Sequence, residues 1–186
     1  MNWSNQSDTI LGDTYMFLIA QIIGWVGTVV NTAAFQIKNT KGMILMQALA
    51  GVIFGTHYLL LGAVTAGLIQ FIFTINILLL SANSDDWKSW KGWKWVISGI
   101  VIIISAVTWS GILSIIPCAC SIIATITNWS RNGRTIRMYR LFVLSPLWIF
   151  YDILVHSYPG IVLELIAMGS VIVSFVRYGV RELSEA

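Results

Sequence analysis

Residues 148–164 read WIFYDILVHSYPGIVLE, and residues 54–70 read FGTHYLLLGAVTAGLIQ. Laid on one another at an offset of 94 positions, the two stretches match in character more than in identity. Phe54 falls on Trp148, and His57 and Tyr58 fall on Tyr151 and Asp152. Leu60 falls on Leu154, and Thr65-Ala66-Gly67 falls on Pro159-Gly160-Ile161. Gln70 falls on Glu164, a polar residue within an apolar run in each copy. No gap is needed between positions 36 and 76. The spans, loops and residue character thus point to one unit occurring twice.

Outward from these stretches the chain divides into seven apolar runs: Tyr15–Gln36, Met43–Leu61, Val64–Ser81, Lys94–Trp109, Gly111–Trp129, Ile136–His156 and Pro159–Tyr178. Each is long and continuous, as a membrane helix requires, and none alternates as a barrel strand would. Runs 1–3 and runs 5–7 form the two copies, and run 4 is a linker. The expected division is a polar extracytoplasmic tail (1–14), a first three-helix bundle (15–81), a cytoplasmic Trp/Lys loop with the linker helix (82–110), a second three-helix bundle (111–178) and a cytoplasmic tail (179–186). The tail at 1–14 has Asp8 and Asp13 but no Lys or Arg. A secretory signal would carry a basic segment there.

The charges test the count of spans. The short connections around Gly62–Ala63, Ser110 and Ser157–Tyr158 hold no Lys or Arg. Lys38 and Lys41 follow run 1, and Lys88, Lys91 and Lys94 follow run 3. Arg131, Arg134, Arg137 and Arg140 follow run 5, and Arg177 and Arg181 follow run 7. With seven spans all four places share one side, which the positive-inside rule makes the cytoplasm. The N-terminus is then outside and the C-terminus inside. Run 4 restores the direction of the second copy, so the repeats are parallel about an axis along the membrane normal. Carriers of that design hold their site where the repeats meet.

Composition agrees. Of 186 residues, 57% are hydrophobic and 10% charged, and the mean hydropathy is +0.80. Soluble domains carry about 25% charged residues. An ordinary soluble enzyme, a disordered chain and a nucleic-acid binder are excluded. The net charge of +3 comes from 11 basic against 8 acidic residues, whose placement matters more than their sum. Cys118 and Cys120 face nearly opposite sides of one helix and are expected to pack as small apolar groups.

Trp148, Tyr151, Pro159 and Glu164 together resemble the SWEET and SemiSWEET sugar-transporter pattern of Trp, Tyr three later, Pro eleven later and Asn sixteen later. The resemblance implies a three-plus-one-plus-three helix arrangement, with Trp148 and Phe54 as facing walls of a substrate cavity and Tyr151 and His57 near the outer gate. This chain has Glu164 and Gln70 where that family has Asn, and it lacks the Pro-Gln signature of PQ-loop relatives. Pro117 and Pro146 stand where such proteins often bend helices. The stretch His57-x-x-Leu60-Leu61-Gly62 with Ala66, and the second half around Trp148 and Pro159-Gly160 to Glu164, are similar to the YgjV-type bacterial inner membrane proteins. That resemblance covers most of residues 18–178 and implies a bacterial inner-membrane location.

Candidate site residues follow. An ionisable group in the membrane interior costs about 2.5–3.5 kcal/mol on insertion scales and usually marks function. Glu164, with its repeat mate Gln70, is expected to line a solute pocket with Phe54 and Trp148. Glu164 can also exchange a proton; the plainer alternative is a protonated Glu bonded to a neighbouring helix. Trp148, Asp152 and His156 are four apart and would share a face of an outer vestibule. His57 would either relay a proton or donate to a carbonyl, the second being commoner. Asn31, Gln47 and Asn76 read as amides joining helices. The arginines after run 5 read mainly as a topology signal.

The expected function is a secondary transporter or facilitator of a small polar solute, working by alternating access and proton-linked through Glu164. A sugar, a nucleoside-like or vitamin-like molecule and an amine all fit. The alternative is a non-transporting receptor or scaffold on the same fold. No Ser-His-Asp set, metal cluster or phosphate loop suggests an enzyme, a metal or a cofactor. The expected partners are the solute and the lipid bilayer, with anionic lipid at the Trp/Lys loop. No nucleic acid is expected. One chain holds both units, so a monomer suffices for one pathway.

Overall fold

The computed structural model describes residues 3–34, 40–81, 92–130 and 132–178. The Trp/Lys loop at 82–91, the tail at 179–186, and Gln36, Lys38, Arg131 and Arg181 lie outside the described residues. Seven helices and no strand occur among the described residues.

Helix α1 (Trp3–Ala34) has 32 residues, about 48 Å at 1.5 Å per residue. The hydrocarbon core is about 30 Å thick. Its apolar part begins at Gly12, so the polar segment 3–14 extends the first helix. Helix α2 (Thr40–Leu60) leads through a tight turn to α3 (Val64–Ser81). Helix α4 (Trp93–Val107) turns through Gly111, at φ +120°, and the short 3-10 segment Ile112–Ser114 into α5 (Ile115–Trp129).

Helix α6 runs over 133–154 in three pieces: α-helical Gly133–Tyr139, π-helical Arg140–Leu144 and α-helical Ser145–Leu154. The Asn132 side chain starts it by accepting from the Thr135 N–H at 3.0 Å. Pro146 has no N–H to complete the ladder, and the wide π turn ends at Leu144, two residues before it. Pro117, the other expected bend, disturbs nothing. It occupies the first turn of α5, where backbone N–H groups have no partner within the helix. Helix α7 (Tyr158–Tyr178) completes the bundle.

Helices α2 and α6 are the middle members of two triplets. The first packs on α1 and α3, the second on α5 and α7. Across the triplets α1 packs on α7 and α3 on α5, while α4 rests against α3 and α5. The turns after α2 and α6 close in the same way. Ala63 N–H reaches the Tyr58 carbonyl and Gly62 N–H the Leu59 carbonyl; Ser157 N–H reaches Asp152 and His156 N–H reaches Ile153. Each is a Schellman closure around a left-handed residue, Gly62 at φ +76° and His156 at φ +56°.

The outer surface is apolar: Leu18, Ile22 and Val29 on α1, Ile102 and Ile103 on α4, and Leu165, Ile172 and Val173 on α7 are exposed. The interior holds many of the polar groups, including His57, Asn76, Thr125, Asp152 and Ser157. A lipid-facing bundle has this inverted arrangement, since helices satisfy their own backbone and water is absent outside. Gly12–Ala34, Ile112–Trp129 and Tyr158–Val176 are long and apolar enough to cross a membrane; Leu45–Leu60, Val64–Leu80 and Trp93–Val107 are shorter apolar helices. Asn76 joins α3 to α5 as expected, donating to Thr125 Oγ1 at 3.1 Å and accepting from Trp129 Nε1 at 2.9 Å. Trp129 is consequently buried.

Candidate functional site

A cavity of about 480 Å³ lies between the triplets, within the range of small-molecule sites. Phe54 and Tyr58 of α2, Gln70 and Thr74 of α3, Cys120 and Ser121 of α5, Arg137, Arg140, Trp148 and Asp152 of α6, and Gly160 and Glu164 of α7 line it. The four expected pocket residues, Phe54, Gln70, Trp148 and Glu164, therefore meet around one space. The cavity continues past Asn31, Gln47 and Ser174 to the end where α1, α3 and α7 finish. Exposed Ser170 and half-buried Arg137 and Ser174 mark this open end. Asn31 and Gln47, expected to join helices, line the cavity here.

Glu164 is 7% exposed. Its Oε1 pairs with Arg140 Nη2 at 2.9 Å, and its Oε2 accepts from Ser145 Oγ at 2.6 Å. An ion pair taken from water needs such additional hydrogen bonds. Glu164 is thus bonded to a neighbouring helix, but as half of an ion pair rather than as an isolated acid. Arg140, at the start of the π segment, lines the cavity and pairs with Glu164, so it is more than a topology signal.

The opposite end is closed by bonds between α1, α2 and the α6–α7 turn. Buried His57 places Nδ1 2.7 Å from the Ala20 carbonyl and Nε2 2.9 Å from Ser157 Oγ. A carbonyl only accepts, so Nδ1 carries a proton, and in the neutral imidazole Nε2 then accepts from Ser157. Gln21 Nε2 donates to the His156 carbonyl at 2.8 Å, and Thr28 Oγ1 to the Pro159 carbonyl at 3.1 Å. Tyr58 OH donates to Asp152 Oδ1 at 2.8 Å. Close approach depends on two glycines. A Cβ on Gly24 would stand 2.8 Å from the His57 ring, and one on Gly160 would stand 2.5 Å from Asp152 Oδ2.

The residues expected near an outer gate, His57, Tyr151 and Asp152, cluster at this end. Tyr151 is buried, edge-on to Tyr58 and to Trp148. Tyr58 stacks on Trp148 at 5.7 Å and 26°, so the ring facing Trp148 is Tyr58, while Phe54 lies beside Tyr58. Asp152 is fully buried in this closed arrangement. The expected Trp148–Asp152–His156 face ends early because α6 stops at Leu154 and His156 turns left-handed. His57 and Glu164 share no hydrogen bond among the described residues. Tyr58, Arg137, Arg140 and Ser145 are site residues that the sequence reading did not place. For Tyr58 a signal existed, since it is the repeat mate of Asp152.

An apolar helical shell around an internal cavity with a few polar groups in its wall marks a polytopic membrane protein. The chain belongs to the Imp-YgjV family of bacterial inner membrane proteins, whose family model matches residues 18–182. It is accordingly a protein of the bacterial inner membrane. No curated protein and no solved structure matches the chain.

Proposed function

We propose that the protein is a carrier for a small polar solute, in which two parallel three-helix units rock about the cavity. The observation that carries this reading is the asymmetry of the cavity: open at one end, with polar groups set among apolar ones in its wall, and sealed by hydrogen bonds between the two halves at the other. Alternating access needs such one-sided closure around a central site.

The repeat reading draws support from three relations at the 94-residue offset. Tyr58 and Asp152 are mates, and they bond each other. Equivalent groups that touch lie on the axis relating their units. The left-handed Gly62 and His156 are mates in matching turns. The α1–α7 and α3–α5 contacts exchange when the units are exchanged. With the positive-inside orientation, the open end faces the cytoplasm and the sealed end faces outward. The wall of Phe54, Gln70, Trp148 and Glu164, with Arg140 and Arg137, suits a solute presenting both a ring or apolar face and hydrogen-bonding groups.

A thermal-shift panel of sugars, nucleosides, vitamin precursors, amines and small acids tests the reading. Ligands raise the melting point of the state they bind. A hit that weakens in Glu164→Gln supports a solute site at this wall. A panel without hits, on protein whose folding is verified, counts against it.

A further inference from the structure

Asp152 differs from Glu164 in one respect. Glu164 has Arg140 beside it. Asp152 has no cation paired with it among the described residues, and its Oδ2 is buried without a hydrogen-bond partner. The titratable groups around it are His57 and Tyr58 on α2, Tyr151 on its own helix, Cys120 on α5 and Glu164 on α7. Of the arginines on α6, Arg140 is engaged by Glu164, Arg137 stands toward the open end of the cavity and Arg134 is exposed. Helix α1 contributes the polar but untitratable Gln21 and Thr28 to this end. A lone carboxylate shut from water with one hydrogen bond is an unfavourable arrangement.

The chain of bonds beside it shows what would relieve it. Ser157 gives its hydroxyl proton to His57 Nε2, which leaves its oxygen free to accept. A Cβ on Gly160 would stand 2.5 Å from Asp152 Oδ2 and 2.6 Å from Ser157 Oγ, so the carboxyl and the hydroxyl border the same small space that Gly160 leaves. A proton on Oδ2 would give Ser157 that donor. Donors would then run in one direction, from Asp152 through Ser157 and His57 to the Ala20 carbonyl, across the outer seam.

We infer that Asp152 is the proton-carrying site of the protein, and that the proton on Oδ2 latches the outer end shut. The inference rests on the carrier reading for its consequence. In the closed state Oδ2 holds one proton taken from water. When the end opens, the proton returns to water and the carboxylate is solvated there. A ligand that binds one of two states better shifts the population to that state, so acid favours closure and alkali favours opening. Glu164, neutralised by Arg140, belongs to the solute wall and is not the proton carrier.

The test uses Leu163→Cys, a half-buried cavity position, with Cys118 and Cys120 replaced by Ala. Right-side-out vesicles are treated with a membrane-impermeant maleimide over a pH series. Labelling is normalised to exposed Tyr158→Cys at each pH, which cancels the thiol's own response. Outside labelling is expected to rise with pH, by up to about tenfold per unit, the limit for one linked proton. Asp152→Asn should stay unlabelled from outside at every pH, because the amide keeps the Tyr58 bond and offers Ser157 a permanent donor. Ser157→Ala should be labelled even in acid, and Glu164→Gln should keep the pH response. A pH response surviving in Asp152→Asn, or vanishing in Glu164→Gln, overturns the latch. Labelling from outside without pH dependence overturns the latch and leaves the carrier reading standing. No outside labelling in any variant, Ser157→Ala included, overturns both.

Discussion

At the scale of single residues, the site is a set of polar groups each held by a specific neighbour. Removing a neighbour should therefore have a readable effect. Glu164→Gln leaves Arg140 without its counter-charge. Removing one partner of a buried pair costs about 3–5 kcal/mol. Arg140 is 32% exposed, so water offsets part of that, and a loss of about 1–2 kcal/mol is expected in a melting series. Asn76→Ala strands Trp129 Nε1 and removes the bond to Thr125, and should lower stability by about 1–3 kcal/mol. Phe54, Gln70, Trp148 and Glu164 were legible in the sequence because the repeat overlays them in pairs. Arg140 was not. An arginine near a helix end serves equally as a topology charge or, through its long stem, as a cavity group. Only the π turn at Arg140–Leu144 and the facing Glu164 decide the matter. Asp152 was legible as an acid about one turn from a helix end, yet its burial comes from neighbours distant in sequence or across the turn, the Tyr58 hydroxyl and Gly160.

At the scale of elements, the two Schellman turns make a paired prediction. Gly62→Ala puts a Cβ on a left-handed residue and should cost about 1 kcal/mol, whereas His156→Gly relieves the same strain and should be neutral or stabilising. Melting midpoints of the two variants should move in opposite directions or differ by that margin. Gly160→Ala is a different case. Its Cβ would meet Asp152 Oδ2 at 2.5 Å and Ser157 Oγ at 2.6 Å, and overpacking of this kind costs about 1–3 kcal/mol. The variant should express poorly or melt early, and Gly24→Ala should do likewise against the His57 ring. Helix existence was legible in the sequence for every apolar run, since each is continuous. The start of α1 at Trp3 was not, because residues 3–14 are polar and extend a helix without adding to its apolar stretch. The effect of proline was legible only in part. Pro146 follows a π turn, whereas Pro117 sits in a first turn where its missing N–H is not needed.

At the scale of the whole molecule, the central claim is that two units move against each other at the sealed end while sharing one cavity. The seven-run count, the paired stretches and the charge placement were legible from the sequence. The one-sided closure was not, since it arises from bonds between residues about a hundred positions apart, such as His57 with Ser157. The most direct measurement is a pulsed electron-spin distance across that end. Spin labels at Val64→Cys and Tyr158→Cys, both exposed and one on each unit, are read in lipid with Cys118 and Cys120 replaced by Ala. Two distance populations are expected, with the shorter dominant at low pH and in Asp152→Asn, and the longer growing in Ser157→Ala. A single distance, unchanged by pH and by both substitutions, would contradict it.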